Sequence, residues 1–211
     1  MCDIVNINYL KNNFNKLKNI SSVLEVGSNN LNGNAKEYIL SRKLNYTGID
    51  IIAGPDVDKI CDIADEITTI DKILGQKYEL VIAMNILEHV FDPIKAIKNM
   101  VHVLNDKGYL LIIVPIIWDL HAYPGDYYRL LPDFFRKIAE QEKIEIIKDT
   151  FIFSDRNMKK FYTDLNKIPY AYEIYKGGKF NAFLKVIKKV INPIHLKTYT
   201  HLYLNLIYQK N

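Results

Sequence analysis

The 211-residue sequence predicts one α/β domain, a doubly wound and mostly parallel sheet covered by helices. Three observations carry that expectation. Short apolar runs near 22–26, 46–51, 58–62, 79–84 and 109–114 alternate with segments of helical periodicity. The runs ending at Val26, Ile49 and Met84 each give way to a turn with polar or small residues, Gly27-Ser28, Asp50 and Asn85. Parallel strands deliver ligand-binding groups at their carboxyl ends in this way. No internal repeat and no linker rich in Gly, Ser or Pro divides the chain.

Taken in order, residues 7–19 place Tyr9, Leu10, Phe14 and Leu17 at helical spacing, so a short amphipathic helix precedes the first strand at 22–26. A helix over 34–43 follows, with Ala35, Tyr38 and Ile39 on one face. Strands at 46–51 and 58–62 lead to a helix over 64–74, which Gly75 stops because glycine suits the left-handed C-terminal position. A fourth strand at 79–84 precedes a helix over 93–104 that opens on Pro93. The fifth strand, 109–114, is expected to end before Pro115. Pro132 opens a helix to 142, 143–153 alternates as a sixth strand, and 201–208 is rich in strand-forming residues. Within 154–199, Phe183, Leu184, Ile187, Val190 and Ile191 share one helical face while Lys185, Lys188 and Lys189 lie on another.

Composition narrows the function classes. Hydrophobic residues at 49% and charged residues at 25% describe an ordinary globule, not a fibrous or disordered chain. No run approaches the ~20 apolar residues of a membrane span, and Met1-Cys2-Asp3-Ile4 lacks a basic leader, so a cytoplasmic protein is expected. Cys2 and Cys61 belong to no C-x-x-C or His/Cys cluster, so neither a disulfide framework nor a metal site is expected. The net charge of +4 is concentrated after residue 150, where lysines far outnumber acids.

The turn after the first strand reads Gly27-Ser-Asn-Asn-Leu-Asn-Gly33. Gly27 permits close approach of the backbone to a ligand. Asp50 lies 23 residues further on, near the offset of about 20 at which an acidic side chain meets a ribose. The G-x-G-x-x-G spacing is missing, which counts against a pyrophosphate-containing dinucleotide and favours a nucleoside cofactor without phosphate. With the later segment Asn85-Ile-Leu-Glu-His89, residues from about 20 to 150 resemble the class I S-adenosylmethionine-dependent methyltransferases, in particular the type 11 methyltransferase-domain family.

The resemblance implies a Rossmann-like sheet of seven strands whose last strand runs antiparallel. It makes the sixth and seventh strands a pair, and 154–199 a basic lid or insertion between them. It also implies S-adenosylmethionine as cofactor, with Glu25, Gly27, Ser28 and Asn85 around its methionine half, Asp50 and Ile51 at the ribose, and Asp62 and Ile63 at the adenine. Glu25 could instead cap a helix or pair at the surface, and Asp62 could cap the 64–74 helix, since aspartate is a favoured N-cap.

A hydroxyl acceptor must lose a proton as it attacks, and histidine, with an ordinary pKa of about 6.5, suits that duty. His89 and His121 are the candidates, because His102, His195 and His201 have no comparable context. His89 could equally buttress the loop after the fifth strand. The stretch His121 to Arg129 resembles the H-x-x-P-x-D-Y-x-R pattern of the family, which implies an acceptor pocket built from Tyr123, Asp126, Tyr127 and Arg129. A structural turn held by an Asp126–Arg129 pair is the alternative. Arg129 could hold a phosphate or carboxylate with its planar fork.

These readings converge on O-methylation of a small anionic or carbohydrate acceptor. Candidates are a phosphorylated or nucleotide-linked sugar, or a phosphoramidate-type precursor, of a bacterial surface polysaccharide such as a capsule. A lipid or quinone acceptor at a membrane surface is the alternative enzyme, and a cofactor-binding partner without turnover is an alternative of another class. A nucleic-acid partner is disfavoured because Asn-Ile-Leu-Glu replaces the N/D-P-P-Y/F motif used on flipped bases.

Overall fold

The computed structural model describes residues 4–121, 124–155, 161–162 and 202–211. The strands are β1 (Ser22–Val26), β2 (Asn45–Asp50), β3 (Lys59–Ile60), β4 (Tyr78–Met84), β5 (Leu104–Ile117), β6 (Ile144–Ile146), β7 (Ile152–Asp155), β8 (Phe161–Tyr162) and β9 (Leu202–Lys210). They form one sheet in the order β3-β2-β1-β4-β5-β9-β7-β8, with β6 also on β9. Strands β3, β2, β1, β4 and β5 pair in parallel, whereas β9 runs antiparallel to β5, β6 and β7. This is the Rossmann-like, mostly parallel sheet with an antiparallel last strand that the resemblance implies, with nine strands among the described residues in place of the expected seven.

Side-chain alternation along the central strands builds a core on each face. Leu24, Val26, Val81, Ala83, Leu110 and Ile112 meet the helices α3 (Ile67–Leu74), α4 (Pro93–His102) and α5 (Pro132–Glu142) on one side. Val23, Leu80, Ile82, Leu111 and Ile113 meet α1 (Ile4–Asn13) and α2 (Lys36–Ser41) on the other. Period-two alternation of wholly apolar residues is what a strand covered on both faces requires.

Local chemistry explains the element ends. Asp92 caps α4 by accepting the Lys95 N–H at 2.9 Å, and Pro93 follows in the first turn. Gly75 ends α3 with φ +70°, and Lys59 Nζ donates to the last carbonyls of that helix, Ile73 and Leu74, at 2.8 and 2.9 Å. Several expected boundaries move, and β5 begins at Leu104 rather than 109. The first helix stops at Asn13 and gives way to a 3-10 turn, Phe14–Lys16, while α4 ends at His102 rather than 104. Strand β5 continues through Pro115, which pairs with Tyr203 just before the register shifts to Ile117 opposite Leu202. Proline has no N–H to give the ladder, and the bulge lets the strand absorb that loss.

The expected sixth strand is two strands. At the break between β6 and β7, Thr150 Oγ1 donates to the Ile147 carbonyl at 2.7 Å and accepts the Ile207 N–H at 3.1 Å. A side chain thus replaces part of the ladder to β9. Tyr9 of α1 donates to the Thr150 carbonyl at 2.7 Å and holds the break against the first helix. Of the segment 154–199, only residues 154, 155, 161 and 162 fall within the described residues. There β8 pairs antiparallel with β7, and the lysine-bearing stretch 183–191 lies outside the described set, as do His195 and His201.

Strand β9 is tied to α5 by Tyr208, whose hydroxyl donates to the Phe135 carbonyl at 2.7 Å in a fully buried setting. Tyr208→Phe leaves that carbonyl without its donor and is expected to lower the free energy of unfolding by about 1–2 kcal/mol. Urea unfolding checks this, with a lower midpoint at an unchanged slope expected.

Candidate active site

The carboxyl ends of β1, β2 and β4 open onto a cavity of about 580 Å³, a size suited to a small molecule or cofactor. Its floor is the turn after β1. Gly27 has φ +75°, a left-handed backbone conformation that strains other residues, and a Cβ there would also displace the end of the Ile86 side chain, 1.9 Å away at Cδ1. Gly27 and Ser28 both donate their N–H groups to the Ile49 carbonyl, at 2.8 and 3.0 Å, which binds the turn to the end of β2. Ser28 itself is buried and its hydroxyl donates to the Asp56 carbonyl at 3.1 Å.

Asp50 ends β2 on the cavity wall. Its Oδ2 accepts the Asn29 N–H and its Oδ1 the Ile52 N–H, both at 3.3 Å. Ile51, Asp62 and Ile63 line the same cavity; Asp62 accepts the Ala64 N–H at 2.8 Å, an aspartate turn that opens the segment leading to α3. Three expected members stand outside the lining, the buried Ser28 among them. Asn85, with φ +56°, is buried at the end of β4, and its N–H donates to the Ile113 carbonyl at 2.8 Å. Glu25 points to the α2 side of β1, where its carboxylate accepts the Ala35 N–H at 3.0 Å and the Tyr46 hydroxyl at 2.7 Å. Neither side chain is among the cavity's lining residues. Burial pushes the Glu25 carboxyl up to about 7, against the pull of its two donors.

The far wall is the 3-10 turn Leu87–His89 and the loop after β5. His89 and His121 both line the cavity, their rings edge to face with centroids 4.9 Å apart. The His89 Nδ1 meets the Gly125 carbonyl, and the His121 Nδ1 lies 3.1 Å from the Asp119 carbonyl and 3.4 Å from Asp126 Oδ2. Burial holds the His89 imidazole below its ordinary value. Tyr127 lines the cavity beside Phe91 in an edge-to-face pair at 5.5 Å, while Tyr123 lies outside the described residues.

Asp126 and Arg129 engage each other. The guanidinium grips the carboxylate with two nitrogens, one at 2.7 Å, and its nitrogens also meet the carbonyls of Tyr128, Trp118 and Asp119. Asp126 additionally accepts the His121 N–H at 3.1 Å. The Arg129 hydrogen bonds hold the Asp126 carboxyl down at about 2. The pair therefore shapes the loop that carries His121, and Arg129 is absent from the cavity's lining.

Sequence reasoning passed over Glu88, buried at 1% exposure with neither carboxylate oxygen hydrogen-bonded and its carboxyl pushed up to about 7 by burial. An acidic residue between Leu87 and His89 was visible, but nothing in a sequence says which face of a 3-10 turn is buried. Phe91 and Asp92, on the same wall, were also passed over.

Comparison with known proteins follows from this geometry. The family model Methyltransf_23, described as a methyltransferase domain, matches residues 6–139. The chain belongs to this family and is an S-adenosylmethionine-dependent methyltransferase. A search of curated proteins finds no match. Among solved structures, an S-adenosylmethionine-dependent methyltransferase from Archaeoglobus fulgidus is similar at 15% identity and a TM-score of 0.58, over 97% of this chain and 92% of that one. Phosphoethanolamine N-methyltransferase 2 of Haemonchus contortus, in complex with S-adenosyl-L-methionine, shares 14% identity at a TM-score of 0.52, over 97% of this chain and 52% of its own. The [4+2]-cyclase SpnF shares 14% identity at a TM-score of 0.55, over 98% and 80%. At these identities the likeness is one of fold.

The buried Glu25 carboxyl makes stability depend on pH. Its folded value, near 7, lies above the ordinary value of about 4.3. Between those values the folded chain holds a proton the unfolded chain has released, so stability falls as pH rises through the interval. Glu25→Gln removes the titration while keeping an acceptor for Ala35. The melting temperature of this variant relative to the native protein is expected to rise from pH 5 to pH 8 in thermal scans.

Proposed function

We propose that this methyltransferase transfers a methyl group to a hydroxyl oxygen of a small polar acceptor of the carbohydrate type. S-adenosylmethionine, when bound, supplies the methyl group on a sulfonium centre. The residues present fit such a cofactor. Asp50 has lone pairs beyond its two long backbone contacts for a pair of ribose hydroxyls. Gly27 brings bare backbone to the methionine half, and Ser28, Glu25 and Asn85 set the shape of the surrounding turns without lining the cavity. Ile51 borders the ribose, and Asp62 and Ile63 form the adenine edge.

The single observation that carries the choice of oxygen is the pair of histidines on the cavity wall. A carbonyl oxygen is an acceptor only, so the Nδ1 atoms facing Gly125 and Asp119 bear the protons. Each neutral ring therefore keeps its lone pair on Nε2, where it can draw a proton from an attacking hydroxyl. An amine acceptor that is already neutral needs no such group.

The acceptor's charge follows from what lines the wall. Among the described residues the lining includes Asp50, Asp62 and Asp92 and no lysine or arginine. With Arg129 held by Asp126, a neutral sugar, met by Tyr127 and Phe91, is favoured over a phosphorylated one. A phosphorylated or nucleotide-linked precursor of a surface polysaccharide would need Lys185, Lys188 and Lys189, which lie outside the described residues. A quinone-like acceptor at a membrane surface is a second reading, favoured by Phe91 at 74% and Leu120 at 90% exposure. Among the described residues no helix is long and apolar enough to cross a membrane.

Three measurements test this reading. Asp50→Ala is expected to weaken S-adenosylhomocysteine binding by about 1.5–3 kcal/mol in calorimetry; unchanged affinity removes Asp50 from the ribose site. Incubation with neutral sugars, sugar phosphates and a quinol, read by mass spectrometry, should give a methylated sugar. With that acceptor, His121→Ala should lower kcat by about 10²–10⁴-fold while cofactor affinity holds. A methylated quinol alone, or undiminished turnover in the variant, rejects the proposal.

A further inference from the structure

The fold brings Glu88, His89 and His121 together although 32 positions separate the last two in the sequence. One ligand atom from each lies within 4.8 Å of the other two. His89 Nε2 is 3.8 Å from Glu88 Oε1, with His89 largely buried and Glu88 fully so. Two features of this cluster suit a bound cation. Both histidines present Nδ1 to a carbonyl oxygen, which fixes the proton there and leaves Nε2 as the free donor of an electron pair. Asp126 Oδ2 stands 3.4 Å behind the His121 Nδ1 as well. Carbonyl and carboxylate partners of this kind orient histidines that ligate metals. The second feature is Glu88, a carboxylate without exposure or hydrogen-bond donor. A buried carboxylate in that condition costs several kcal/mol unless it is neutralised or meets a cation.

We infer that Glu88, His89 and His121 form a site for one divalent transition-metal cation on the wall of the methyl-acceptor cavity. Two imidazoles and one carboxylate favour Zn²⁺, Fe²⁺, Co²⁺ or Mn²⁺ over Mg²⁺ or Ca²⁺, which prefer oxygen alone. Metal–nitrogen bonds of about 2.1 Å bring tetrahedral ligand atoms to within about 3.4 Å of each other. Closing from 4.8 Å therefore asks for side-chain rotations of roughly an ångström, with the backbone in place. Three protein ligands leave a position open towards the cavity, as in catalytic rather than structural metal sites. A water or an acceptor oxygen takes that position. This last role rests on the methyl-acceptor reading above, with the cation, which takes the Nε2 lone pairs, acidifying the acceptor hydroxyl in place of a free histidine base; the binding of the cation does not rest on that reading.

The experiment titrates the full-length protein, stripped with a chelator, with Co²⁺, whose visible absorption reports its ligands. One equivalent per chain is expected to bind with the spectrum of a nitrogen- and oxygen-ligated ion, and Zn²⁺ to displace it. His121→Ala, at a partly exposed residue, should weaken Co²⁺ binding by at least about 100-fold, since a lost ligand costs no less than a lost second-layer partner. Glu88→Gln should do the same. Calorimetry with S-adenosylhomocysteine on each variant reports that the fold is kept, and if Glu88→Gln does not fold, His121→Ala decides. A native protein that takes up no Co²⁺, or a His121→Ala variant that takes it up as tightly, overturns the inference. A protein that binds Co²⁺ but methylates no hydroxyl acceptor leaves the site standing and rejects the acceptor reading instead.

Discussion

The hydrogen bonds that Gly27 and Ser28 give to the Ile49 carbonyl are the constraint on which the cavity depends. They join the ends of β1 and β2, so that the turn after one strand and Asp50 at the end of the other move as a unit. Gly27 takes part at φ +75°, a conformation that glycine adopts without the strain a Cβ would bring. The second strand is held in turn by its own neighbours: Gly48 N–H meets Asp58 Oδ2 at 2.7 Å, and the Asp58 N–H returns to the Gly48 carbonyl at 2.9 Å. Lys36 and Asn34 then engage Asp56, which ties the start of α2 to the loop after β2. This side of the cavity is therefore held in place by a backbone scaffold.

The acceptor side is built in the opposite manner. Strand β5 ends at Ile117, and the loop beyond it is shaped by Asp126, which engages Arg129, the His121 N–H and the His121 ring together. One carboxylate thereby holds an arginine within the loop and positions a histidine whose Nδ1 also meets the Asp119 carbonyl. The Tyr127 N–H donates to the Glu88 carbonyl at 2.8 Å, so the loop docks on the 3-10 turn after β4 and sets His121 against His89.

Glu25 and Glu88 show how burial alone leaves function undecided. Both are buried, and desolvation pushes both carboxyls up to about 7. Glu25 is satisfied by a backbone N–H and a tyrosine hydroxyl, and works as an internal brace between β1, β2 and α2. Glu88 has no such donors and faces two histidines. The difference lies in the partners, which come from distant parts of the chain.

The class of cofactor came with the family resemblance over about residues 20 to 150, and the sequence alone determined the doubly wound α/β sheet and the alternation of its elements. Those depend on local periodicity, on Gly75, Pro93 and Pro132 at helix ends, and on polar residues following apolar strands. Asp50, Asp62 and both histidines were legible as candidates because each sits at the end of a strand or in a short motif. Tertiary structure decided what those residues meet. It turned Glu25 to the face away from the cavity, because β1 alternates and position 25 belongs to the α2 side. It coupled Arg129 to Asp126, carried β5 through Pro115 on the support of β9, and split the sixth strand at Thr150. It also joined Glu88 to His89 and His121, since the two loops that carry them approach only when β4 and β5 pair side by side.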